Sequence, residues 1–115
     1  PDGVGVPRAD TPADDESRAR IREAVEHYLT GECVAHIREL ESRYRIVFGD
    51  DYRRFMIEDI RAQLDPRIRY YWNAEEKAVP ADRQAREKRV AEKLVSDIRT
   101  ALERHFQERK PKGDI

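Results

Sequence analysis

A single cysteine, Cys33, occurs among the 115 residues. One thiol excludes an internal disulfide, so packing and polar contacts must hold the chain together, and a reducing, cytoplasmic setting is expected. Long apolar runs are also missing. No uncharged stretch approaches the roughly 20 residues that a membrane helix needs, and no basic, apolar, small-residue leader opens the chain, so no membrane partner is expected. An excess of one charge is absent too: 23 basic residues face 24 acidic ones, leaving a net charge of -1. Such a balance gives no global attraction to nucleic acid or to acidic lipid. There is no glycine-rich phosphate loop, no Ser/His/Asp pattern and no Glu-x-x-His, the motif that di-iron bundles repeat on two helices. A non-enzymatic protein without cofactor is the expectation that these absences leave.

What is present in quantity is charge. Charged residues make up 41% of the chain, and 18 of the 23 basic residues are arginine, whose planar guanidinium suits two-point pairing with carboxylates. A chain of this length forms one domain with a single modest core. Residues 1–16 hold three prolines, two glycines and five acids with no periodic apolar pattern. They read as a disordered acidic leader or interdomain linker. Residues 17–109 read as a helical bundle and 110–115 as a frayed tail.

Within 17–109 the apolar residues recur at helical spacing. A first helix is expected from about Ser17 to Leu29, with Ile21, Ala24, Val25, Tyr28 and Leu29 on one stripe. A second carries Cys33, Ile37, Leu40, Tyr44 and Val47 at spacings of 4, 3, 4 and 3, the signature of a packing seam. Only YRIVF, residues 44–48, competes as a strand. Gly49 and Asp50 should stop that helix and cap a third, in which Tyr52, Phe55, Met56, Ile60 and Leu64 face inward. Asp65 followed by Pro66 signals a restart, with Ile68, Tyr71 and Trp72 buried on a short fourth helix. After Val79 and Pro80, residues 81–109 read as one long helix of roughly 40 Å. Its apolar stripe (Ala91, Leu94, Val95, Ile98, Ala101, Leu102, Phe106) lies in the second half. Its first turns read as polar all round, steadied by the pairs Asp82/Arg86, Arg83/Glu87 and Lys88/Glu92. The expected fold class is therefore all-α, a bundle of four or five helices with a long C-terminal helix.

Three groups of residues have chemistry to weigh. HYLTGECVAH, residues 27–36, gathers His27, Cys33 and His36, but on a continuous helix the two histidines point in opposite directions. A structural zinc site needs four converging ligands. The segment is expected to be a helix joint at Gly31, with Cys33 buried and no metal bound. Glu23 and Glu26, with Asp50, Asp51, Glu58 and Asp59, are the raw material of a magnesium-dependent nucleotide hydrolase. Each has an arginine within four residues, so a solvated, cross-paired face is expected instead. Region 43–72 mixes seven arginines and five acids with aromatic residues. It offers a nucleic-acid-binding alternative, although Phe55, Tyr71 and Trp72 fall on core stripes.

The favoured reading is a protein-interaction or oligomerisation module, able to serve as the helical domain of a larger regulator. Its partner would be another protein or a second copy of itself. The wheel turns Tyr70 outward while Tyr71 and Trp72 face the core, so Tyr70, Arg67, Arg69 and Lys77 are the expected partner-binding residues. His105 falls inside the stripe of the long helix, where it is expected to be buried or interfacial and pH-sensitive.

Overall fold

A computed structural model describes residues 12–75 and 82–109. It consists of α1 (Pro12–Thr30), α2 (Glu32–Tyr44), α3 (Asp50–Ala62), α4 (Leu64–Glu75) and α5 (Arg83–Arg109). The class is all-α with a long C-terminal helix, as the periodicity implies, and there is no strand among the described residues.

Contacts between helices fix their directions. Asp14 meets Arg83, Arg20 meets Glu87, and His36 meets Glu103, so α1 and α2 run parallel to α5. Arg22 meets Asp65, Glu26 meets Arg61 and Glu41 meets Arg53, which sets α3 and α4 antiparallel to them. Tyr52 reaches His105, Tyr71 reaches Asp97 and Glu75 reaches Arg89, so α5 turns back again. Five helices therefore form three rods, up, down and up. Rod one (α1–α2) bends at Gly31, whose N–H bonds to the Tyr28 carbonyl at 3.2 Å while its own carbonyl accepts from Ala35. Rod two (α3–α4) bends at Gln63, whose N–H bonds to Ile60.

The core is Ile21, Val25, Tyr28, Leu29, Cys33, Ile37 and Leu40 from rod one, Met56, Leu64, Ile68 and Trp72 from rod two, and Val90, Leu94, Ile98, Leu102 and Phe106 from α5. On α5 the buried residues Arg86, Val90, Leu94, Ile98, Leu102 and Phe106 recur every fourth position. A spacing of four exceeds the helical repeat of about 3.6, so the buried row winds around α5 instead of running straight along it.

Several expectations are corrected. Helix α1 begins at Pro12, so residues 12–16 of the expected leader are helical, and Asp14 accepts from Arg83 at 2.9 Å. Residues 1–11 and 110–115 lie outside the described residues. Helix α2 stops at Tyr44, because Arg45 takes a left-handed conformation (φ 57°) with its N–H bonded to the Glu41 carbonyl, a common helix ending. Val47 consequently leaves the seam and is 85% exposed, and YRIVF is no strand, since Tyr44 ends α2 and residues 45–48 form the link to α3. Gly49, not Asp50, is the residue before α3, and no side chain caps it. Phe55 is 61% exposed. Leu64 and Asp65 already belong to α4.

The first turns of α5 are supported, contrary to the all-polar reading. Asp82 caps the helix by accepting from the Ala85 N–H at 3.0 Å. Glu87 takes two of the three guanidinium nitrogens of Arg20 at 2.9 and 2.6 Å and the buried Ser17 hydroxyl at 2.6 Å. The bond from Arg20 holds the Glu87 carboxyl below the ordinary range. Arg86 is buried and donates through Nε to the Trp72 carbonyl at 3.0 Å, with its guanidinium 3.7 Å from the centre of the Trp72 ring. Trp72 lies in the last turn of α4, where carbonyls have no donor from their own helix. Arg86 closes that end with a charge-assisted bond and a cation over an aromatic face.

Candidate functional site

Helix α4 separates its aromatics as the wheel expects. Trp72 and Ile68 are buried, Tyr71 is half-buried, and Tyr70 is 69% exposed. Tyr71 donates its hydroxyl to Asp97 on α5, and this acceptor holds the phenol above its usual value. Tyr70 stands edge-on to Tyr71, with ring centres 5.3 Å apart. Arg67, one turn before it, and Arg69, its neighbour in sequence, are exposed to either side of it, and Arg67 also reaches Gln63 at 3.4 Å. Three of the four expected partner-binding residues are thus exposed on α4. Lys77 lies outside the described residues.

His105 is half-buried, with the rings of Phe48, Tyr52 and Phe106 packed against it. Its Nε2 is 3.3 Å from the Tyr52 hydroxyl and its Nδ1 3.3 Å from Arg109. Partial burial, then repulsion from Arg109, lowers its pKa, while Glu108 opposes the shift. The ring belongs to an aromatic chain that runs outward from buried Phe106 through Phe48 and Tyr52 to exposed Phe55.

The HYLTGECVAH segment is the expected joint. His27 is exposed while Cys33 and His36 are buried. Burial pushes the Cys33 thiol up, and His36 Nε2 lies 3.6 Å from the Glu103 carboxylate on α5. No group of histidine, cysteine and carboxylate that could hold a metal occurs among the described residues. Four of the six acidic residues are paired with arginine: Arg61 bridges Glu26 and Glu58, Arg53 takes Asp50, and Arg54 takes Asp51, while Asp59 accepts from Gln63 and Glu23 is exposed. They do not converge on a common point where an ion-bound phosphate could sit.

Two polar devices were not legible in the sequence. One is the Arg86 cap on α4. The other is a clasp at the α2–α3 turn, where buried Glu41 accepts two bonds from Arg53 Nη1 (2.9 and 2.8 Å) and one from the Phe48 N–H (3.2 Å). The same Arg53 nitrogen also reaches the Phe48 carbonyl at 2.8 Å. Each involves a charged residue on a buried position, and the only signal was its phase. Arg86 stands four residues before Val90, and Glu41 four after Ile37.

These features define a helical three-rod bundle with sealed polar contacts inside and an open aromatic and arginine face outside. No helix of the described residues is long and apolar enough to cross a membrane. The family model described as Spore germination protein GerPC matches residues 5–110, and the chain belongs to that family. No curated protein and no solved structure matches it significantly.

Proposed function

We propose that this chain is a non-enzymatic interaction module of spore germination, which binds a protein partner through the outer face of α4. The observation that carries the reading is Tyr70, a large ring left 69% exposed between Arg67 and Arg69 while its two neighbours anchor the bundle. Tyrosine and arginine supply rigid contact area and directional bonds, and both are enriched where binding energy concentrates. The family's description supplies the process, germination, and names no reaction.

The nucleic-acid alternative for region 43–72 loses support from the pairing of its arginines. Arg43, Arg53, Arg54 and Arg61 each contact a carboxylate of the same chain, so each phosphate contact would have to displace one.

The test is a Tyr70→Ala substitution introduced into a spore-forming host that lacks its own copy. Loss of an exposed ring should cost less than about 1 kcal/mol of folding stability and should slow germination measured by the fall in optical density. Normal germination with the folded variant would overturn the reading. A mobility-shift titration with short oligonucleotides at low salt should show no complex.

A further inference from the structure

The face of α5 turned away from the core has an order of its own. Each buried residue of the every-fourth row is followed two positions later, about 200° around the helix, by a residue on the opposite side. These are Lys88, Glu92, Ser96, Thr100, Arg104 and Glu108, and all six are exposed. Because they keep the same spacing of four as the buried row, they stay opposite it along the whole helix. Ion pairing is dense elsewhere on this molecule, yet Lys88, Glu92, Arg104 and Glu108 form no ion pair among the described residues. The expected Lys88/Glu92 pair is thus not made.

Read backwards, this row complements itself. Laid antiparallel on a second copy and crossing it at the level of Ile98, Glu92 comes against Arg104 and Ser96 against Thr100, while the row turns by about 40° per step and carries Lys88 and Glu108 around to the flanks of the contact. The charges nearest the crossing meet their opposites, and the centre is small and neutral. Parallel pairing would instead set each charge against its own sign. Beside the row, α5 and α1 form an open groove of about 690 Å³, where Ala24, Ala91 and Val95 add apolar surface. A neighbouring helix has room to approach there.

We infer that a second copy of this chain docks on this face, α5 against α5 and antiparallel, to form a two-fold symmetric dimer. The inference rests on the reading that the chain works by association, and it names one partner and a surface on a different helix from Tyr70. A two-fold axis brings the same patch of both copies together, so each cross-pair occurs twice. The charges set register and orientation, and the apolar residues of the groove beside the row supply contact area.

Sedimentation velocity on the full chain and two charge-reversed variants tests it. Glu92→Arg alone opposes Arg104 of the other copy twice, and Arg104→Glu alone opposes Glu92 twice. Each should weaken self-association by about tenfold or more, since like charges across an interface are strongly disfavoured. An equimolar mixture of the two variants restores both attractive pairs and should associate as the unchanged protein does. Circular dichroism of each variant separates loss of association from loss of fold. Should either fail to fold, oxidation of mixed Ser96→Cys and Thr100→Cys chains reads the same geometry, with mixed cross-links expected to exceed like-with-like ones. A monomeric unchanged protein at high concentration overturns the dimer and leaves the Tyr70 reading standing. Self-association that neither variant weakens, or that the mixture does not restore, overturns this surface. Normal germination with Tyr70→Ala overturns only the Tyr70 reading.

Discussion

Helices α3 and α4 are two halves of one rod and nearly equal in length, yet they meet different fates. Helix α4 buries Leu64, Ile68, Trp72 and Glu75, whereas α3 buries only Met56. Helix α3 nevertheless separates its apolar and polar sides more sharply than any of the other four. The difference lies in the surroundings. Helix α4 packs against both α1 and α5, while the principal packing neighbour of α3 is α4, its own continuation. Amphipathicity tells which side of a helix turns inward, and the number of neighbours decides how deep that side goes. Where neighbours are few, the α3 end relies on directional contacts, the Glu41–Arg53 clasp and the Phe48–Tyr52 ring pair.

The contrast can be broken by substitution. Trp72→Ala removes the largest fully buried side chain and should cost about 3–5 kcal/mol in urea denaturation, as large-to-small core changes do. Phe55→Ala, on the sharper but less covered helix, should cost under about 1 kcal/mol. Equal costs would show that α3 is packed as deeply as α4. A smaller effect is expected from Arg86→Met, which keeps an unbranched stem over the core but leaves the Trp72 carbonyl without its donors. Denaturant melts should show a loss of about 1–3 kcal/mol, the usual cost of a buried polar group left unpaired. An unchanged midpoint would mean that water replaces the guanidinium.

The smallest effect sharpens the comparison by pH. His105 at the α3 end has its pKa lowered from 6.5, with Tyr52 and Phe48 against it and Arg109 and Glu108 beside it. As pH falls, the unfolded chain takes up this proton before the folded one does. The stability contributed by the neutral ring is therefore present above about pH 6.5 and declines below it. Glu75 at the α4 end behaves differently: bonds from Lys93 and then Arg89 lower its pKa from 4.5. Its contribution persists above that value and disappears only as pH falls through the lower folded pKa. Acid should therefore loosen the α3 end first. His105→Gln should flatten the slope just below neutrality while the drop at more acid pH remains. A slope that survives the substitution assigns it to another group.

How much of this could be read beforehand follows the same division. The buried sides of α1, α4 and the second half of α5 were legible, because apolar residues at helical spacing there meet two neighbours. The α2–α3 turn was misread, since Val47 and Phe55 keep the apolar phase but the left-handed Arg45 ends the helix before Val47 and Phe55 is left mostly exposed. Periodicity records which residues could be buried, not where the chain reverses. Arg86 escaped because its charge argues for solvent, and only the carbonyl-rich end of another helix makes its burial favourable. Within the candidate site, the exposure of Tyr70 beside buried Trp72 was legible from phase alone. The self-complementary row on α5 was in the letters as well, but without the winding of the buried row there was no reason to read every fourth one.

Cys33 gives the molecule a gauge of its own breathing. The only thiol in the chain is buried at the seam of α2, and its surroundings favour the protonated, unreactive form. A thiol reagent can therefore modify it only during moments when rod one parts from its neighbours. With reagent in excess, the modification rate becomes the opening rate, followed on the unaltered protein and needing no added label. Dimerisation, partner binding or a shift in pH would each be read as a change in how often that seam comes apart.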